Sequence, residues 1–368
     1  MAGEKLNSSD SSSYPNEAVR VIQMVVTVLI FVVGVTLNGL VVWVLGLRRR
    51  RRGSIGGSET QGAGSFRIYV VNLALADLVL LLRTPLALGY LAHHFSWPFG
   101  ITFCQIIMFL RCLGLYAGAF MLSAVALERC LCLLRPVWSR MKRPRWVVPL
   151  VCVVLWIIAA ILSVPYFTLA GLSPWQNKTQ CIENTHNVTA TTLVVLETVP
   201  GFLLPLLLFI TCNIVVMISA RKAERVATSP TSPISSPTSP NGPIYTSQRM
   251  ARLYRILFLT MILFLTCWVP YFICRFLKAL SAGRKGWEKM NHRAMEGAYA
   301  SLFLVYIKCA LNPILYAFAA RGLRRTVRAS LFSTIERIFN EDISESLRRK
   351  SLRRKDSQFQ EGAESGQY

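Results

Sequence analysis

The chain has 368 residues, 53% of them hydrophobic, yet carries a formal net charge of +23 at a mean hydropathy of +0.43. That pairing argues against a soluble globule: the apolar residues must face lipid or each other, and the charge must be confined to the segments between them. It does not argue for a nucleic-acid partner, because the basic runs flank apolar stretches, where membrane orientation and anionic inner-leaflet lipid account for them.

Runs of about 20 apolar residues predict spans near 21–47, 67–92, 101–134, 146–168, 191–220, 249–281 and 296–319. Residues 1–20 form a polar, Ser-rich tail without the features of a cleaved signal peptide, so the first span is expected to act as an uncleaved anchor. Arg48 to Arg52 follow it, then a flexible Gly/Ser-rich insert over 53–65. Arg135, Arg140, Lys142, Arg143 and Arg145 follow the third span, Arg221, Lys222 and Arg225 the fifth, and Arg321 begins the basic tail. All fall on one side, which the positive-inside rule makes cytoplasmic, leaving the amino terminus outside.

The sequons at Asn7, Asn177 and Asn187 lie on the predicted outer side, where glycosylation occurs. Eight of the ten cysteines lie in or beside spans, as small soft side chains do. Cys104 and Cys181 remain, both outward, and a disulfide between them is expected. A second flexible inner loop, 226–248, repeats Ser-Pro, a pattern that disfavours helix and reads either as a linker or as a proline-directed phosphorylation target. Leu323, Val327, Leu331 and Ile335 recur at helical spacing among arginines, predicting an amphipathic helix over 321–340 on the inner leaflet. Residues 341–368 form a polar cytoplasmic tail. The expected fold is an all-α membrane protein, a seven-transmembrane helix bundle (21–320) with this amphipathic eighth helix.

Four polar motifs sit at matching depths in different spans: Asp77, Glu128-Arg129, Cys267-Trp268-Val269-Pro270 and Asn312-Pro313-Ile314-Leu315-Tyr316. Ionisable groups in hydrocarbon are expensive and mark functional paths. No internal repeat or interrupted short span suggests a transporter, and His93, His94, His186 and His292 have no spacing that suggests metal binding or enzymatic chemistry. No cofactor or metal is expected.

With Asn38, Leu73-Ala74-Leu75-Ala76-Asp77, Cys104, Glu128-Arg129-Cys130, Trp156 and Pro205 before the last two motifs, the ordered set over about 20–340 resembles a rhodopsin-like (class A) G-protein-coupled receptor. The resemblance implies a plasma-membrane receptor that activates a heterotrimeric G protein, with arrestin and receptor kinases acting through the tail. Arg129 pairs with Glu128 at rest and turns toward the G-protein cavity when active. Pro270 and Pro313 kink their helices, Trp268 lies below the ligand cavity, and Tyr316 completes the last motif. The chain departs from the family at Glu128 (commonly Asp), Cys130 (often Tyr) and Asn213 (usually a Tyr that holds the active state).

A sharper departure is Lys308, four residues before the Asn of the Asn-Pro motif. There the family has Asn or Ser, which with Asp77 and a third-span Ser surrounds a sodium ion; here the third-span position is Gly118. The expected consequence is an Asp77–Lys308 ion pair in place of sodium, since either charge buried alone is far costlier than the pair; the alternative is Lys308 in hydrated space.

Near the outer half of the bundle Arg83, Arg111 and Arg275 lie in the second, third and sixth spans and Glu197 in the fifth, and with Tyr271 they are the expected ligand-binding residues. Arg111 stands where amine receptors carry an Asp, which argues against a monoamine, and convergent guanidinium groups suit a carboxylate or phosphate. Three basic groups against one acid leave positive charge over. Trp97-Pro98-Phe99-Gly100, Arg135-Pro136-Val137-Trp138 and Val164-Pro165-Tyr166-Phe167 resemble the chemoattractant branch, especially type 2 prostaglandin D2 receptors. Leu196-Glu197-Thr198-Val199-Pro200-Gly201 and Ser173-Pro174-Trp175 are instead similar to leukotriene B4 receptors. The implied ligand is a small anionic lipid acid, with a chemoattractant peptide bearing a free carboxylate as the alternative; the implied partner is an inhibitory G protein. A non-signalling decoy receptor is the remaining rival, opposed by the intact Glu128-Arg129.

Overall fold

The computed structural model describes residues 17–48, 61–134, 144, 146–175, 177–183, 187–227, 243–281 and 283–319. Asn7, residues 53–60 of the first insert, the Ser-Pro repeat, the helix expected over 321–340 and the tail 341–368 lie outside the described residues, as do the side chains of Arg129, Asn187 and Tyr316.

Helices α1 (Glu17–Val41, continued by a π-helical segment Val42–Arg48), α2 (Gln61–Leu81), α3 (Thr84–Ala92), α4 (Gly100–Leu134) and α5 (Val147–Thr168) lead into a two-stranded hairpin, β1 (Ala170–Trp175) and β2 (Lys178–Glu183). Then come α6 (Asn187–Thr198), a π-helical segment Val199–Leu203, α7 (Leu204–Ala227), α8 (Pro243–Ser281) and α9 (Glu288–Ala319). Among the described residues seven helical stretches are long and apolar enough to cross a membrane.

Several helices outrun the apolar windows: α2 begins at Gln61, α8 at Pro243 and α9 at Glu288. Residues 61–65 and 243–248, expected to be flexible, are therefore helical. A hydropathy window registers only the lipid-length part of a helix, whereas extending a nucleated helix adds one hydrogen bond per residue and carries it past that part.

Two irregularities in the spans have identifiable causes. Pro85 has no backbone N–H and its ring would clash with the carbonyl of Leu81, so the second span breaks at Leu82–Arg83 and restarts as α3. There the Arg83 amide bonds the Leu80 carbonyl at 3.3 Å, and the Thr84 hydroxyl donates to the Leu81 carbonyl at 2.6 Å. In the fifth span Pro200 falls in the π-helical segment between α6 and α7, a form of irregularity that helices often carry at functional sites.

The hairpin pairs antiparallel, with Leu172 opposite Cys181. Cys181 is bonded to Cys104 in the first turns of α4, with an S–S distance of 2.05 Å. The Trp97 amide donates to the Thr179 carbonyl at 2.7 Å, so the hairpin caps this end of the bundle. At mid-depth Ala76, Cys112, Tyr116, Ala117, Ala159 and Tyr166 form a buried cluster joining α2, α4 and α5. Trp156 donates to Asn72 at 3.0 Å, and Tyr166 donates to the Leu193 carbonyl at 2.7 Å.

The outward faces are apolar: Val25 and Leu29 on α1, Ile157 and Ile161 on α5, and Leu204 and Leu207 on α7 are all exposed. A continuous apolar surface of this kind is what a bilayer covers.

The second span and α4 pack closely at Gly114, where an added Cβ would sit 2.4 Å from Leu80 Cγ and 3.3 Å from the Ala76 carbonyl oxygen. Gly114→Ala should therefore lower the thermal midpoint of the purified protein, at a cost of about 1–3 kcal/mol from overpacking. Gly39→Ala, where nothing beyond its own stretch of helix lies within 4 Å, should not lower it.

Candidate functional site

At the hairpin end five side chains close a buried network. Arg111, on α4, donates from Nη1 to Glu197 Oε1 at 2.5 Å and from Nη2 to Glu183 Oε1 at 2.7 Å. Arg275, on α8, donates from Nε and Nη2 to Glu197 Oε2 at 3.1 and 2.8 Å, and from Nη1 to Glu183 Oε2 at 2.8 Å. Two guanidinium groups and two carboxylates thus alternate in a ring. The Tyr271 hydroxyl donates to Glu197 Oε1 at 2.6 Å and accepts from Arg111 Nη1. The Arg111 guanidinium also lies over the Tyr166 ring, 5.4 Å from its centre. Bidentate, charge-assisted bonds of this kind are the strong ones, and each charge is met where lipid-depth burial demands it.

Glu183 is absent from the sequence-based set, although a signal for it existed. Side chains two apart on a strand share a face, so Glu183 points the same way as Cys181; Cys104 and Arg111 share a face of α4 at a spacing of seven. The disulfide therefore delivers Glu183 to Arg111. Burial acts to raise the Glu183 carboxyl, but Arg275, Arg111 and Lys278 outweigh it and hold the group down at about 2 from an ordinary 4.5.

Arg83 is the expected site residue that does not join the ring. It lines a neighbouring cavity of about 60 Å³ together with Lys278, Met108, Tyr299 and Leu302, bounded also by Glu183, Arg111 and Arg275. Four cationic side chains thus line this cavity with one carboxylate, Glu183, while Glu197 pairs with Arg111 and Arg275 from outside the lining. The surplus of positive charge read from the sequence is present, but it resides on Arg83 and Lys278, with Arg111 and Arg275 neutralised.

Below the ring Tyr271 meets Trp268 edge-to-face at 5.7 Å. Trp268 in turn packs against Phe264 and Phe272, and Phe202 stacks on both of these. Deeper, Lys308 Nζ lies 3.3 Å from Asp77 Oδ1, while Asn312 Nδ2 donates to Asp77 Oδ2 at 2.6 Å. Lys308 and Asp77 are both almost fully buried, at 2% and 0% exposure, and beyond its own stretch of helix nothing lies within 4 Å of where a Cβ would stand on Gly118. Asn38 Nδ2 donates to the Cys309 carbonyl at 3.0 Å, fixing α1 to α9 beside this pair. Glu128 is buried at the far end of α4. Asn213 donates to the Phe209 carbonyl of its own helix at 2.7 Å. Pro270 and Pro313 lie inside α8 and α9, and Asn177 is exposed in the hairpin turn. Among the described residues no cluster of potential ligands suits a metal ion.

Two outcomes follow from these pairs. Lys308→Met alone should cost about 3–5 kcal/mol of stability, because it strands the Asp77 charge, and Asp77→Asn in the same chain should recover most of the loss in a thermal melt. Glu183, a carboxyl held low in the folded state, contributes stability that is complete above about 4.5 and is lost as pH falls toward 2. The stability gap between the unmutated protein and Glu183→Gln should thus stay level from pH 8 to 5.5 and then shrink, by on the order of 3 kcal/mol in full.

Residues 37–316 match the family model described as 7 transmembrane receptor (rhodopsin family). The C3a anaphylatoxin chemotactic receptor of Danio rerio is 27% identical over 91% of this chain and 82% of its own length. The C5a anaphylatoxin chemotactic receptor 1 of Oncorhynchus mykiss is 31% identical over 88% and 83%, and the prostaglandin D2 receptor 2 of Mus musculus is 26% identical over 88% and 78%. All are receptors rather than enzymes, and each is similar over 88% or more of this chain's length. With seven spans threaded by the ordered polar motifs, the chain belongs to the rhodopsin family of seven-transmembrane receptors and has the function of a G-protein-coupled receptor.

Proposed function

We propose that the protein is a plasma-membrane receptor, hairpin end outward and carboxyl terminus in the cytoplasm, for an extracellular ligand bearing a carboxylate. A lipid acid of the leukotriene or prostaglandin type is the first choice. The observation that carries this is the residual positive charge around the hairpin-end cavity, whose lining holds four cations and one carboxylate, with Glu197 paired to two of those cations from outside the lining. A prostaglandin receptor stands among the similar chains. The two anaphylatoxin receptors favour the second reading, a chemoattractant peptide with a free carboxylate. The basic flanks of the spans support the orientation, and the exposed Asn177 supports a glycosylated outer face.

The route from ligand to switch runs through the ring. An anion that draws on Arg111 or Arg275 changes what Tyr271 bonds, and Tyr271 rests against Trp268. Trp268 moves within an aromatic cluster at Pro270, where α8 lacks a backbone donor and bends readily. That bend opens the cytoplasmic end, where Glu128 releases Arg129 to the G protein, an inhibitory one, and Asn312, Pro313 and Tyr316 rearrange. Arrestin and receptor kinases act on the tail 341–368. In the resting lock the Lys308 ammonium takes the place that a sodium ion holds in relatives, so replacing sodium by choline should not alter agonist affinity.

In cells expressing the chain, eicosanoid acids and chemotactic peptides with a free carboxyl terminus should suppress cyclic AMP. Their methyl esters should be at least about 10-fold weaker, the loss of one charge-assisted contact. Arg111→Ala should abolish the response per receptor at the surface, with surface expression measured alongside because the substitution strands two buried carboxylates. Equal potency of acids and esters would rule out the anionic-ligand reading.

A further inference from the structure

Arg111 and Arg275 are saturated by Glu183 and Glu197, so a ligand anion gains little from either until a carboxylate leaves. Arg83 differs. It is 6% exposed, its Nε and Nη1 have no hydrogen-bond partner, and among the described residues no carboxylate forms an ion pair with it. A guanidinium with unmet donors is expensive to hold at this depth, and the fold spends a helix break on placing it. Pro85 interrupts the second span immediately after Arg83, leaving it in the turn between α2 and α3, beside the cavity. Lys278 lines the same cavity, also without an ion-pair partner among the described residues.

The rest of the wall is mostly apolar: Met108, Met295, Ala298 and Leu302, with the Tyr299 ring. The volume of about 60 Å³ is roughly four times what a single water needs by the same measure. It admits a carboxylate and the first few carbons behind it, but not a whole drug-sized molecule. Resting on the anionic-ligand reading above, we infer that Arg83, assisted by Lys278, is the anion subsite. It takes a monocarboxylate carried on a narrow apolar stem. The planar fork of Arg matches a planar carboxylate, while the thioether and leucine walls match methylene groups. The remainder of the ligand lies above, against the hairpin. The Arg111–Glu183–Arg275–Glu197 ring is then the neighbour that senses the ligand and need not hold its charge.

The test uses the full-length protein in nanodiscs of neutral phosphatidylcholine, with octanoate as the probe and octanamide as its uncharged isostere. Octanoate should raise the thermal unfolding midpoint in a concentration-dependent way, whereas octanamide and inorganic phosphate should not. Arg83→Gln should raise the half-effective octanoate concentration at least about 10-fold, and Arg83→Lys and Lys278→Gln should weaken binding less. Should Arg83→Gln fail to fold, Arg83→Lys and Lys278→Gln carry the comparison, and an octanoate response unaltered in both overturns the assignment. An unchanged response in a folded Arg83→Gln protein, or none in the unmutated protein, also overturns it. A response to phosphate equal to that of octanoate sinks the apolar-stem assignment. The acid-versus-ester comparison in cells separates the two readings. If the unmutated receptor prefers acids and Arg83→Gln keeps that preference, only the subsite is lost; if the unmutated receptor has no preference, the anionic-ligand reading goes with it.

Discussion

The structure is arranged around one constraint, that charge buried at membrane depth is costly unless it meets opposite charge. Isolated ions in such surroundings are costly, and a matched pair is tolerable only when its remaining hydrogen-bonding capacity is also filled. The molecule meets this in two places. At the hairpin end Arg111 and Arg275 are each bonded to both Glu183 and Glu197. At the centre Asp77 is shared by Lys308 and Asn312. These sites tie together helices that apolar packing alone would let slide: α4, α6, α8 and the hairpin in the first, α2 and α9 in the second.

The two sites differ in how readily they can rearrange. The ring has spare geometry, because each carboxylate oxygen can exchange partners among two guanidinium groups and a hydroxyl, and Glu183 enters from a loop strand. The central pair has little: both side chains are almost fully buried on helices held by neighbouring contacts, including the Asn38 bond to Cys309. Between them stands the aromatic stack of Tyr271, Trp268, Phe264, Phe272 and Phe202, close-packed and therefore prone to shift between discrete arrangements.

The sequence made the spans, their number and the deep polar motifs legible, because each depends on local composition over a lipid-length window. Arg83, Arg111, Arg275 and Glu197 could be grouped from their depth, and three of the four meet in the ring while Arg83 lies beside it. What depth could not say was which charge satisfies which. That was decided by Glu183, a residue in a loop whose position depends on the Cys104–Cys181 tether and the pairing register of a short hairpin. Once it is counted, Arg111 and Arg275 are both neutralised, and among the described residues the surplus charge at this cavity rests on Arg83 and Lys278. Helix ends were misjudged for a related reason: hydropathy measures lipid contact, and a helix persists wherever its backbone bonds continue.

The division of labour between Arg83 and the ring follows from what a ligand can gain. An anion that merely replaced Glu183 between Arg111 and Arg275 would exchange one carboxylate for another, and the freed Glu183 would need hydration; the net gain is small. Pairing with Arg83 displaces no carboxylate, so affinity is best supplied there. Affinity alone, however, shifts no equilibrium, since a ligand moves a switch only by as much as it prefers one state. The preference has to come from groups whose partners can change, and those are Arg111, Arg275 and Tyr271. Holding the anion at an unpaired arginine and reading it through a paired ring separates binding from switching, and places the two within one cavity where a single ligand end touches both.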